Sequence, residues 1–147
     1  GTGSLLLQAV VARAELVLLA DGSGMLFREG GLAVARVRRL AARVIGALCE
    51  RASDGNGSPV ERWLDLLSKA LEAPPGSARR AGSALAICEM LRSRPSLSQA
   101  RGLCQKVLNL LRTDVESDPL VVTAACDGLR RLSERCSLVW EVLQEPI

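Results

Sequence analysis

Residues 31–53 read GLAVARVRRLAARVIGALCERAS. Val37, Leu40, Ala41, Val44, Ile45 and Leu48 recur at three- and four-residue spacing, which predicts an α-helix with these positions on its inner face. Arg36, Arg39 and Arg43 recur at the same spacing on another face. Two later segments repeat the outline. VRRLAARVIGAL ends at Leu48, RAGSALAICEML at Leu91 and VVTAACDGLRRL at Leu132, steps of about 43 and about 41 residues. In this register Ala41, Ala84 and Ala125 coincide, as do Val44, Ile87 and Gly128. The intervening segments align as well: WLDLLSKAL ends at Leu71 and VLNLLRTDV at Val115. A small residue at the shared alanine position permits close helix approach.

The rest of the chain agrees with an all-α fold. It has 147 residues, one domain's length, and 48% are apolar, enough to bury a core. Aromatics are 2%, namely Phe27, Trp63 and Trp140, whereas strands would call for more aromatic and β-branched residues. The net charge of +3 is mild and argues for neither nucleic acid nor a membrane surface, and most of the excess positive charge falls before Arg94. No apolar run approaches the ~18 residues of a membrane helix. The opening GTGS lacks an initiator Met and reads as an expression scar over 1–4, so residues 5–147 are expected to be a single helical-repeat domain cut from a longer chain.

In order, residues 4–20 predict a first helix with Leu6, Val10, Ala14 and Val17 on one side and Leu7, Val11 and Leu18 widening the stripe, closed by Asp21-Gly22-Ser23-Gly24. Met25, Leu26 and Phe27 form an apolar triplet in a polar loop, read either as tucked against the core or as an exposed docking element. Ser53 to Gly57 break the long helix. Ser58-Pro59-Val60-Glu61 is a capping box that opens a helix over 59–72 with Trp63 and Leu67 inward. Ala73-Pro74-Pro75-Gly76 ends it. Ser77 is expected to cap a helix to about Ser93, and Ser96-Leu97-Ser98-Gln99 to form a second capping box for a helix to about Thr113. Asp118-Pro119 opens the next helix, and 138–144 predict a short last one with Trp140 and Leu143.

The repeat outline, and above all Asp118-Pro119-Leu120-Val121-Val122-Thr123-Ala124-Ala125 through Leu129 and Leu132, resembles the HEAT/armadillo α-solenoid family. Val122 stands where that family's usual arginine would be. The resemblance implies a right-handed α-solenoid of about three helix pairs plus a short C-terminal helix. An irregular helical bundle is the alternative. It also implies that the second helix of each pair lines one face of the array. On that face Arg36 falls beside Arg79, with Arg39 and Arg43 following, so one end of the groove is expected to be basic.

Chemistry finds little support. The chain has no His, which removes Ser-His-Asp and Cys-His arrangements and histidine metal sites. The Gly-rich stretches match no phosphate-binding pattern. Cys49, Cys88, Cys104, Cys126 and Cys136 form no C-x-x-C pair and read as small buried hydrophobes in a reducing compartment. No enzyme activity, cofactor or metal is expected. The expected function is a protein-interaction scaffold or adaptor in an intracellular complex, cytoplasmic or nuclear. It would bind a partner helix or acidic peptide through Arg36, Arg39, Arg43 and Arg79, with Met25, Leu26 and Phe27 as a second candidate surface. A nucleic-acid-binding domain is disfavoured by the scarcity of Lys and aromatic residues. Self-association through Trp140 and the last helix is the other alternative.

Overall fold

A computed structural model describes residues 2–52, 58–72 and 76–145. The described residues form seven α-helices and no strand: α1 (Thr2–Ala14), α2 (Leu32–Arg51), α3 (Pro59–Glu72), α4 (Ser77–Ser93), α5 (Ala100–Asn109), α6 (Pro119–Ser133) and α7 (Leu138–Leu143). None is long and apolar enough to cross a membrane. The breakers at 53–57 and 73–75 lie outside the described residues.

The organising element is α4, not the arginine-rich α2 from which the repeat is read. Every residue from Ala81 to Leu91 is buried. Helix α2 packs along one side of α4 and α6 along another, while α3 covers a third. Ala41, Ala84 and Ala125 are all buried. Glycines set the closest approaches. A Cβ on Gly46 of α2 would stand 2.9 Å from the Cβ and carbonyl oxygen of Glu89, and one on Gly128 of α6 would stand 3.0 Å from the Cβ of Cys88. A side chain at either point would hold the helices apart.

This contact turns α2 away from the expected orientation. Of the expected stripe Ala41 and Ile45 face inward and Leu48 packs against the core, but they are joined there by Ala42, Gly46, Cys49 and Arg38, whereas Leu40 and Val44 are 59% and 44% exposed. Large apolar spacing picked the wrong edge of the stripe because the tight α2–α4 interface admits mainly small residues. In the first helix, α-geometry gives way at Glu15–Leu19 to one wider π-helical turn, which ends on Ala20 in the left-handed region at φ 39°. Of the expected stripe, Leu6, Val10 and Val17 are exposed, while Val11 and Leu18 pack against the core. The segment is anchored instead by buried Leu19 and by Glu15, which accepts from the Trp63 indole at 2.8 Å and pairs with Arg62.

The helix ends differ in detail from expectation. Val60 N–H donates to Ser58 Oγ at 3.3 Å, the Ser half of the expected capping box. The Ser96–Gln99 box does not form: these residues lie in turns, and Gln99 makes no side-chain cap to α5. Ser77 is the first residue of α4 rather than its cap. Gly76, at φ 140°, takes the cap position, and the Ser77 hydroxyl donates to Asp118. Asp118 caps α6 as expected, accepting from Leu120 N–H at 2.9 Å ahead of Pro119.

The Ser77 hydrogen bond, then the one from Leu120, holds the Asp118 carboxyl below its ordinary 3.8. A carboxylate depressed in the folded state contributes stability that is present above that ordinary value and is lost as pH falls through the lower native one. Asp118→Ala is therefore expected to melt below wild type at neutral pH. The gap between the two melting temperatures should close as pH drops below 3.8. A gap that stays constant through this range would show that the carboxylate charge is not what caps α6.

Candidate functional site

Because α4 lies between α2 and α6, the two outer helices wall a groove above it. The groove has a volume of about 460 Å³. Arg38 and Arg39 stand on the α2 wall, Leu120, Thr123 and Asp127 on the α6 wall, and Leu85 of α4 at the base. This is the face on which the repeat register sets Arg39 beside Thr123. A larger hollow of about 580 Å³ lies beside the Glu15–Leu19 turn and α3, where Glu15 already takes Arg62 and Trp63 and Lys69 pairs with Asp65.

The seven residues singled out from sequence separate. Arg39 lines the groove and is half-buried. Arg36 is exposed on α2 outside the groove lining. Arg43 is solvated at 46% and leans toward Glu89, with 3.9 Å between Nε and Oε1. Arg79 donates to the Gly22 carbonyl at 2.8 Å, so it holds the loop after the first helix rather than extending a basic stripe. Leu26 and Phe27 are buried and Met25 is half-buried. The docking alternative for this triplet is thereby corrected. The 25–27 turn presses its backbone onto α4 at Gly82, where a Cβ would meet the Leu26 carbonyl oxygen at 2.0 Å.

Three residues that decide the local electrostatics were not legible as site residues. Glu89 is buried on α4 and receives Arg131 of α6: Arg131 Nε donates to Oε1, and Nη2 lies 3.4 Å from Oε2. Hydrogen bonding to Glu89 raises the Arg131 guanidinium above its ordinary value. With Arg43 on the other side, one buried carboxylate ties α2, α4 and α6 together. Arg38 is the third residue. It is 2% exposed, and its Nη1 donates to the Arg28 carbonyl. The only sequence signal for Glu89 and Arg38 was a charged residue inside an otherwise inward-facing stripe, which is ambiguous until the helix is rotated correctly.

Two of the buried thiols are held in their neutral form. Burial pushes Cys88 well up and Cys104 to about 11, which leaves both protonated at neutral pH. Cys126, expected inside, is exposed on α6 because it lies opposite the face that meets α4. Compared with protein family models, curated protein sequences and solved structures, the chain finds no match in any of the three.

Proposed function

We propose that this chain is a section of a HEAT/armadillo-type α-solenoid that serves as an intracellular, non-enzymatic scaffold, binding a protein partner along the α2–α4–α6 face. The observation that carries the reading is the groove itself. Three helices of one register lie side by side, and the gap above the middle one is open, partly apolar and edged by arginine. Concave sites with apolar walls and a few placed polar groups are where ligands bind. A helix pair of this kind buries its apolar face only by stacking on the next pair, which leaves a continuous flank for recognition. The nucleic-acid alternative is weaker, since Asp127 sits on one wall and no aromatic residue lines the groove for base stacking.

The test is site-specific cross-linking in cells. A photo-activatable residue at Thr123 samples the groove, and one at the exposed Asp65 on α3 samples surface outside it. Thr123 is expected to trap a discrete protein adduct that Asp65 does not. Charge reversal of Arg39, which lines the groove, should abolish that adduct while the melting temperature is unchanged, whereas reversal of Arg36 outside it should not. Equal adducts from the two positions, or none from Thr123, would remove the groove as the binding face.

A further inference from the structure

Arg38 is an anomaly of charge. It is only 2% exposed at the groove wall, its Nη1 donates to the Arg28 carbonyl, its Nε has no hydrogen-bond partner, and no carboxylate of the described residues lies within ion-pair distance of it. Burial, and next the neighbouring charge of Arg39, holds its guanidinium below the ordinary value, with Glu29 acting weakly the other way. The other buried charged group, Glu89, has arginine on two sides. A buried cation without an anion is unfavourable, and proteins ordinarily pair it. Here the cation lines the one groove left open between α2 and α6.

We infer that the groove takes a carboxylate, supplied by an acidic peptide segment of the partner protein whose Asp or Glu side chain pairs with Arg38 and Arg39. This rests on the reading of the groove as the binding face. Arginine's planar fork suits a carboxylate in two-pronged contact, and Arg39, half-buried at the rim, meets the anion before Arg38 does. Leu85 at the base and Leu120 on the far wall accept apolar side chains flanking the acid. Asp127 on the same wall is already bonded to Arg130 at 3.2 Å, which limits its repulsion toward a single carboxylate. A phosphodiester chain would bring charge at every residue against that aspartate and those leucines. The volume admits a few side chains, not a folded domain.

The experiment uses synthetic Leu/Ala-rich peptides in which a single Glu is walked along the sequence, each with a Gln counterpart, titrated against the whole chain. The best Glu peptide is expected to bind at least about tenfold more tightly than its Gln twin. That ratio should fall to near one with Arg38→Met and fall partway with Arg39→Gln. Arg38→Met should melt at or above the wild-type temperature, because it removes an unpaired buried charge. If Glu and Gln peptides bind wild type alike, the carboxylate site is overturned while the groove reading stands. If no peptide binds, both fail. An Arg38→Met protein that melts well below wild type overturns the inference, since the arginine is then held by the fold alone. So does displacement of the Glu peptide by a single-stranded oligonucleotide.

Discussion

Gly82→Ala is expected to cost at least ~3 kcal/mol, the upper end of what overpacking does, because the new methyl meets backbone and not a movable side chain. Its Cβ would lie 2.0 Å from the carbonyl oxygen of Leu26 and 3.0 Å from the adjoining carbon. To make room, the 25–27 turn must lift from α4, and with it Leu26 and Phe27 leave the core. For a chain of this length the melting temperature should fall by roughly 10 °C. The matched control is Gly102→Ala on the exposed side of α5, where a Cβ meets nothing within 4 Å. That change should raise stability by about 0.5–1 kcal/mol through lower backbone entropy in the unfolded chain. Chemical denaturation of the pair measures the difference. If Gly82→Ala lies within ~0.5 kcal/mol of wild type, the turn does not bear on α4 as described.

Glu89→Ala is the second large effect. It removes the carboxylate that receives Arg131 and leaves that guanidinium, only 20% exposed, against the core without an anion. Breaking such a pair from one side costs on the order of 3 kcal/mol. Replacing both members is much milder, so Glu89→Ala combined with Arg131→Met should recover most of the loss. Arg43→Met should change stability by less than ~0.5 kcal/mol, since that arginine is solvated and its contact is long. The double-variant cycle by denaturant titration reads the coupling directly. Additive losses at positions 89 and 131 would contradict the clamp.

These two sites also show where sequence reasoning stops. Helix existence was legible throughout, because Gly, Pro or Asp punctuate every junction before α6, as Asp118-Pro119 does at its start, and only the α6–α7 turn lacks them. The alanine register at 41, 84 and 125 was legible because small residues recur wherever α2, α4 and α6 touch. The rotation of α2 was not. A stripe built from Arg38, Ala42, Gly46 and Cys49 looks less apolar than the neighbouring one with Leu40 and Val44, yet it is the one that fits against α4. Helix α4 hid its central place for a related reason: when neighbours cover a helix on most sides, no single face stands out in the pattern. Of the candidate site, Arg39 could be placed from the repeat alone. Arg38 could not, because its meaning comes from what fails to surround it.

Arg94, just beyond α4, donates from Nε to the Cys49 carbonyl at 2.8 Å and from Nη2 to the Ala52 carbonyl, and Ser93 donates to the Gly46 carbonyl at 2.8 Å. Carbonyls near the end of α2, and that of the residue after it, are thus bonded by residues more than 40 positions downstream. On a ribosome, α2 leaves the exit tunnel with that end open to water and stays frayed until α4 has followed it. The end of α2 is finished by residues at the end of α4, so its order waits on chain made more than 40 residues later.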